Sequence, residues 1–152
     1  MAKKHQLAVG FAAAAVVSIL AACGSAGGNS DPSPATLKPI PGSSVKVVQL
    51  TSQAMHRLGI ATQPVRSEGV AASGPRHVDE VIPYSAVVYD TDGSTWTYVN
   101  TKPQTFVRER ISINAIEGFS ALLSRGPAVG AAVVTVGAPE LLGTEYEISG
   151  EQ

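Results

Sequence analysis

Two groups of residues have the side chains that metal chemistry would need. Asp90-Thr91-Asp92-Gly93 is similar to the first half of a calcium loop, but Thr101 stands where an EF-hand needs its bidentate Glu. Met55, His56 and His77 are soft-metal donors, yet Met55 falls on the apolar face of a predicted helix and the histidines lack a ligand spacing. We therefore predict a hairpin turn, a core methionine and surface histidines, and we expect no metal or cofactor.

Motifs of the common enzyme classes are missing from the sequence. There is no Gly-x-Ser-x-Gly elbow, no HExxH and no phosphate-binding glycine loop. The carboxylates are scattered over predicted loops and solvated strand faces: Asp79, Glu80, Glu109, Glu117, Glu145 and Glu147. Nothing marks a catalytic pair, so the expectation is a protein that is not an enzyme and has no catalytic residues.

A predicted strand over 105–114 carries the candidate docking residues. Phe106, Arg108 and Arg110 alternate onto one face of that strand. Arginine and aromatic residues are enriched at protein interfaces, so these three residues are candidates for docking a partner. The alternative is a solvated face that blunts a sheet edge. Trp96 and Tyr98, on the preceding strand, favour cross-strand packing over a ligand platform.

Composition restricts the classes of fold and partner. Charged residues are 15% and aromatic residues 5%, and the chain has 15 Gly and 10 Pro, which argues against a coiled coil or helical bundle. The formal net charge of -1 provides no basic surface for nucleic acid. With one cysteine, neither an internal disulfide nor a Cys-rich zinc site can form.

Short β-branched segments with a turn about every ten residues predict the fold. Strands are expected over 45–50, 60–66, 84–89, 95–99, 105–114, 119–124 and 131–136, with 81–83 leading into the third of them. One short helix is expected over 51–59 and a single helical turn over 139–142. The residues at 67–77 read as a connection. This pattern predicts a mainly β fold, either a small β-roll or sandwich or a partly open barrel.

The N-terminus has the layout of a secretory signal. Lys3 and Lys4 precede an apolar run from Leu7 to Leu20 that is too short to cross a bilayer as a helix. Leu20-Ala21-Ala22-Cys23 resembles the lipobox of bacterial lipoproteins, which implies cleavage before Cys23 and acylation of its thiol. The alternatives are an ordinary cleaved signal with a chance cysteine and an uncleaved single-span anchor.

The predicted organisation is a signal peptide at 1–22, a disordered Gly/Ser/Pro tether without secondary structure at 23–44, one β domain at 45–148 and a frayed end at 149–152.

Two segments resemble the membrane-proximal domain of periplasmic adaptor proteins, also called membrane fusion proteins, of RND and ABC-type efflux pumps. One runs from Val48-Gln49-Leu50-Thr51 to Arg57-Leu58-Gly59-Ile60-Ala61-Thr62, and the other from Ile82-Pro83-Tyr84 to Glu140-Leu141-Leu142-Gly143. The residues between them are too few to form the lipoyl, hairpin and barrel modules of a full adaptor. The resemblance thus implies both halves of one domain.

The resemblance and the lipobox together predict a function. We expect an accessory, adaptor-like lipoprotein on the extracytoplasmic face of the cell membrane, anchored in the lipid bilayer through acylated Cys23 and docked to an inner-membrane RND or ABC-type transporter. The alternative is a free-standing lipoprotein that binds a small ligand, a metal or an envelope polymer.

Overall fold

The structure is a computed structural model that describes residues 33–69 and 78–147. These residues belong to one compact unit, Pro32–Gln152. The predicted signal peptide, Cys23, His77 and the predicted frayed end lie outside the described residues. In the described ranges, no helix has the length and apolar character needed to cross a membrane.

The described residues form short strands and two α-helices, with one 3-10 turn at Tyr84–Ala86. The strands are β1 Ala35–Pro39, β2 Lys46–Leu50, β3 Ala61–Pro64, β4 Arg66–Gly69, β5 Val78–Pro83, β6 Val88–Tyr89, β7 Thr95–Lys102, β8 Thr105–Arg110, β9 Ser112–Glu117, β10 Ser120–Arg125 and β11 Ala132–Val136. The helices are α1 Ser52–Leu58 and α2 Ala138–Glu147.

Two antiparallel sheets build the domain. The larger has the order β1-β2-β8-β7-β11-β3, with β6 paired to β7, and the smaller has the order β4-β5-β10-β9. Both sheets are open, and the mainly β fold predicted from the sequence is confirmed.

The larger sheet is buried on both faces at its centre. Because successive strand residues point to opposite faces, Tyr98 and Val134 face the two helices while Val99 and Val133 face the smaller sheet. The result is three layers: helices, larger sheet, smaller sheet. One apolar core lies on each side of the larger sheet.

The predicted disordered tether is wrong in part, because residues 35–39 form β1. β1 pairs with β2 from Ala35↔Leu50 to Pro39↔Lys46, and the side chain of Ala35 is buried. Ile40-Pro41-Gly42-Ser43 closes the hairpin, with Gly42 at φ 76 and a bond from Ser43 N to Ile40 O of 3.0 Å. Pro then Gly at the central positions is the signature of a type II turn. The domain therefore begins before Val45.

The predicted helix α1 is confirmed, and a capping residue lies at each of its ends. The hydroxyl of Thr51 accepts a hydrogen bond from the N–H of Ala54 at 3.1 Å. Gly59 ends the helix in the left-handed conformation, with φ 63. The turn at residues 90–93 is also confirmed: the N–H of Gly93 bonds the carbonyl of Asp90 at 2.9 Å between β6 and β7.

Three predicted strands and one predicted connection are wrong where the chain passes between the sheets. The strand expected over 60–66 breaks at Val65 into β3 and β4, which belong to different sheets. The strand expected over 105–114 breaks at Ile111 into β8 and β9, which belong to different sheets. The strand expected over 84–89 begins with the 3-10 turn, which buries Ala86, and only Val88 and Tyr89 form a strand, β6. The connection expected at 67–77 is strand at its start, because β4 extends to Gly69. Ile111, Ala86 and Val65 all join the same core, so each crossing is fixed by an apolar side chain.

The single helical turn expected over 139–142 is a ten-residue helix, α2. Ala138, Leu141 and Glu145 share one buried face at the i, i+3, i+7 spacing. Gly143 and Thr144 lower the intrinsic helix propensity of this segment, and tertiary contacts compensate for them.

Candidate functional site: a buried arginine cluster and an exposed aromatic row

Arg108 occupies the centre of a buried charged cluster. It lies on β8, on the face covered by the helices, and is only 6% exposed. Its Nε donates to Glu145 Oε1 at 3.2 Å, and its Nη1 donates to Asp90 Oδ2 at 2.6 Å. Its guanidinium lies 4.7 Å from the ring centre of Trp96, close enough for a cation–π contact. The cation is thus neutralised by two carboxylates and covered by an indole ring.

Glu145 is the most buried acid of the cluster, on α2. Its Oε1 also accepts the N–H of Lys46 at 3.0 Å, and its Oε2 accepts the hydroxyl of Tyr98 at 2.7 Å. Burial and the bond to Glu145 together raise the pKa of Tyr98. The sequence interpretation of Glu145 as a residue of a loop or solvated face is therefore wrong.

Asp90 links the turn before β7 to the end of α2. Its Oδ1 accepts the hydroxyl of Tyr146 at 2.5 Å, while Oδ2 is bound by Arg108. The hydrogen bond from Tyr146, assisted by that from Arg108, outweighs desolvation and lowers the pKa of Asp90 to about 2. The same hydrogen bond raises the pKa of Tyr146. Both groups keep their charge states throughout the neutral range.

The cluster connects α2 to β8 and to the turn at Asp90. The carboxylates of Asp90 and Glu145 are both held by hydrogen bonds, and the guanidinium is bound between them. The Asp92 side chain is likewise occupied, since it accepts the N–H of Ser94 at 2.8 Å. In residues 33–69 and 78–147, no three His, Cys, Asp or Glu side chains are grouped for a metal ion.

The predicted docking residues separate in the structure. Phe106 is fully buried in the core beneath the helices, and Arg108 is bound in the cluster. These two residues cannot form a docking surface on the folded domain, because β8 lies inside the larger sheet and helices cover that face. Arg110 is exposed and lies 5.8 Å from the ring centre of Trp96. Met55 packs against the core as predicted, and His56 is exposed.

Four aromatic side chains of the described residues are exposed, and they are named here the aromatic row: Phe119, Tyr84, Tyr89 and Tyr146. Phe119 is 94% exposed, at the tip of the β9–β10 hairpin, where Gly118 has φ 59. The N–H of Tyr84 bonds the carbonyl of Phe119 at 2.8 Å, and the hydroxyls of Tyr84 and Tyr89 lie 3.1 Å apart. Tyr89 is followed in the chain by Asp90, whose Oδ1 accepts the hydroxyl of Tyr146.

Two cavities accompany these features. An apolar pocket of about 300 Å³ lies among β1, β2 and the two helices. A groove of about 360 Å³ lies across the outer side of β1, β2, β8 and β7, with Lys38 and Lys102 among its lining residues.

The sequence analysis missed Asp90, Glu145 and Tyr146 as one cluster, because they are far apart in the chain. One signal was present: Arg108 follows Phe106 on the same strand face, and an arginine on a core face needs a buried acid. Comparisons with known protein families, with curated protein sequences and with solved structures returned no match.

Proposed function

We propose that this protein is a lipid-anchored, non-enzymatic docking module that binds the extracytoplasmic face of an inner-membrane efflux transporter of the RND or ABC type. The observation that carries the proposal is the aromatic row. Phe119 is 94% exposed, and Tyr84, Tyr89 and Tyr146 are 40%, 51% and 43% exposed. Tyrosine combines a large apolar ring with a polar hydroxyl, and such side chains are enriched at protein interfaces.

The three tyrosines of the aromatic row are restrained by hydrogen bonds, which suits a binding surface. Tyr146 is fixed by Asp90, and Tyr89 and Tyr84 are paired through their hydroxyls. A two-residue turn with Gly118 at its first central position presents Phe119 without a long mobile loop. Side chains that are ordered before binding lose less entropy when they are buried. The buried arginine cluster serves this surface by holding α2, and with it Tyr146.

The resemblance to adaptor proteins supports the choice of partner. Its first segment supplies β2 and β3, and its second supplies β8 and β11. In the structure β2 pairs with β8, and β3 pairs with β11. Two segments that form one sheet are what two halves of a single domain require. In the adaptor family this domain is the part that docks to the inner-membrane transporter.

The lipidated Cys23 would supply the second half of the mechanism. Two or more acyl chains give stable anchoring, and the short segment between Cys23 and Ser33 keeps the domain close to the bilayer. Confinement raises the effective concentration of the domain at a membrane protein, so a modest interface suffices for binding.

Site-specific photocrosslinking tests the docking surface. A benzophenone amino acid would replace Phe119 in the full chain, in cells, and the same residue would replace Val129 as a control that is exposed but outside the row. We expect crosslinks to a transporter from position 119 and few from position 129. Equal yields from both positions, or crosslinks from 119 only to proteins other than transporters, would contradict the proposal.

The anchor is tested separately with Cys23→Ser. The wild-type chain should fractionate with membranes and carry a diacylglyceryl mass on its mature N-terminus, whereas Cys23→Ser should not. An unmodified Cys23 thiol in the membrane-associated wild type would eliminate the lipoprotein half of the proposal while leaving the docking surface to be judged by the crosslinks.

A further inference from the structure

The apolar pocket between the helices and the first hairpin has the shape of a ligand site. Its lining comes from four elements and from the residue before β1: Pro34, Ala35, Leu50, Ala54, Arg57, Leu58 and Thr144. Ala35, Leu50 and Ala54 also belong to the core beneath the helices, so they form a floor of fixed apolar side chains. The volume of about 300 Å³ lies at the lower end of the range for small-molecule sites.

Arg57 is the one charged residue among those lining this pocket. It is exposed and lies at the C-terminal end of α1, and its long side chain can bring the guanidinium to the mouth of the pocket. Among the described residues no carboxylate forms a salt bridge with it; Arg108, in contrast, has two. Thr144 adds no free donor, because its hydroxyl bonds the carbonyl of Glu140 at 2.8 Å. The pocket thus combines an apolar interior with a single unpaired cation.

We propose that this pocket binds a linear medium-chain carboxylic acid, with the alkyl chain on the floor of Ala35, Leu50 and Ala54 and the carboxylate on Arg57. The apolar lining selects a hydrocarbon chain, and the charge at the mouth selects an acid over an amine or an alcohol. At roughly 30 Å³ for each small group, the cavity holds about ten chain atoms. This site is independent of the docking proposed above, since it uses no residue of the aromatic row.

The ligand series tests the chemistry directly. Hexanoate, octanoate and decanoate, each below its micelle concentration, would be titrated into the purified full chain and followed by amide NMR shifts. We expect the affinity to rise about fourfold per methylene and to level off near ten carbons. Octanoate should bind more tightly than octan-1-ol or octylamine. Equal affinity for the acid and the amine, or no chain-length dependence, would overturn the proposal.

Matched variants locate the site. Arg57→Gln should weaken octanoate binding by about two- to fivefold and leave octan-1-ol unchanged, because only the acid uses the charge. Arg66→Gln removes an exposed arginine from the smaller sheet and should change neither. If Arg66→Gln weakened octanoate as much as Arg57→Gln, binding would be a general charge effect and the proposal would fail.

Filling the cavity gives an independent check. Ala54→Leu places extra carbon in the pocket floor and should abolish octanoate binding. Thr144→Leu does the same from α2 at a less buried position, so it serves if Ala54→Leu does not fold. The NMR spectrum of each free variant reports its folding. If a folded variant of either kind still bound octanoate fully, the alkyl chain of the ligand would lie outside this pocket and the proposal would fail. Neither variant should change the crosslinks from position 119, which separates this test from that of the docking surface.

Discussion

Arg108 joins segments that are distant in the sequence. Through its partners it connects the turn at Asp90, the strand β7 at Trp96 and the helix α2 at Glu145. Removing one partner from a buried ionic cluster is costly because the remaining charges are left without compensation in a poorly solvated site.

Arg108→Met should therefore destabilise the domain by about 3 kcal/mol or more, measured by urea denaturation. Arg110→Met on the same strand removes an exposed arginine and should cost less than about 1 kcal/mol. Combining Arg108→Met with Glu145→Gln should recover part of the loss, because the buried carboxylate charge is then also removed. Equal losses for Arg108→Met and Arg110→Met would contradict this account.

The pH dependence of stability should carry the signature of Asp90. Its folded pKa of about 2 lies below the ordinary value of 3.8, so its contribution is complete above about pH 4 and is lost as the pH falls from 3.8 towards 2. Tyr146→Phe removes the strongest cause of the lowered pKa, so the loss should then begin at higher pH. Asp90→Asn should flatten that part of the curve. An unchanged acid limb in both variants would rule out this role for Asp90.

Thr97 has a hydroxyl that finds no hydrogen-bond partner among the described residues, although the side chain is fully buried. Thr97→Val replaces the hydroxyl with a methyl group of similar size and should stabilise the domain by about 1 kcal/mol. Thr95→Val is the matched control on the same strand, because the Thr95 hydroxyl donates to the carbonyl of Ile111 at 2.9 Å. The control should destabilise, and a Thr97→Val variant that does the same would disprove the interpretation. Thermal melting of the three proteins decides.

At the scale of elements, the junction between β11 and α2 depends on Gly137. This residue has φ 86, and a Cβ at its position would meet Ile60 Cδ1. Gly130 has a similar φ of 90 in an open loop with nothing near a Cβ. The two glycines therefore separate backbone strain from steric overlap.

Gly130→Ala should cost about 1 to 2 kcal/mol from the left-handed backbone alone. Gly137→Ala should cost clearly more, because the overlap with Ile60 adds to that strain. Ile60→Val deletes the atom in question and should bring the cost of Gly137→Ala close to that of Gly130→Ala in urea denaturation. If Ile60→Val and Gly137→Ala act additively, the overlap is not the cause.

At the scale of the whole molecule, β1 decides where the domain starts. A chain of residues 32–152 keeps the β1–β2 pairing, whereas a chain of residues 45–152 loses it and uncovers Leu50 and the pocket floor. We expect 32–152 to unfold cooperatively and 45–152 to be less stable by about 2 kcal/mol or more, from the lost apolar burial. If circular dichroism gave the two chains the same unfolding midpoint, β1 would not contribute to stability and the domain would begin at Val45.

Much of the local structure could be predicted from the sequence because its causes are local. Thr51 and Gly59 flank the short helix α1, and Asp90 to Gly93 form a turn. Alternation over 95–99 and an apolar β-branched run over 131–136 mark strands. Caps, turns and two-residue periodicity depend on neighbours within a few positions.

Only the tertiary structure decided which face of β8 is buried and where strands change sheets. Phe106 and Arg108 lie two residues apart on one face of β8, a spacing that a solvated face would also show. Only their contacts with the core, with α2 and with Asp90 show that this face is buried. The alternation of side chains along residues 105–114 likewise shows no break at Ile111, where the chain leaves the larger sheet for the smaller one. The sequence pattern therefore gave no sign that the strand changes sheets there. Burial of a polar group depends on partners far away in the chain, and local patterns carry no information about those partners.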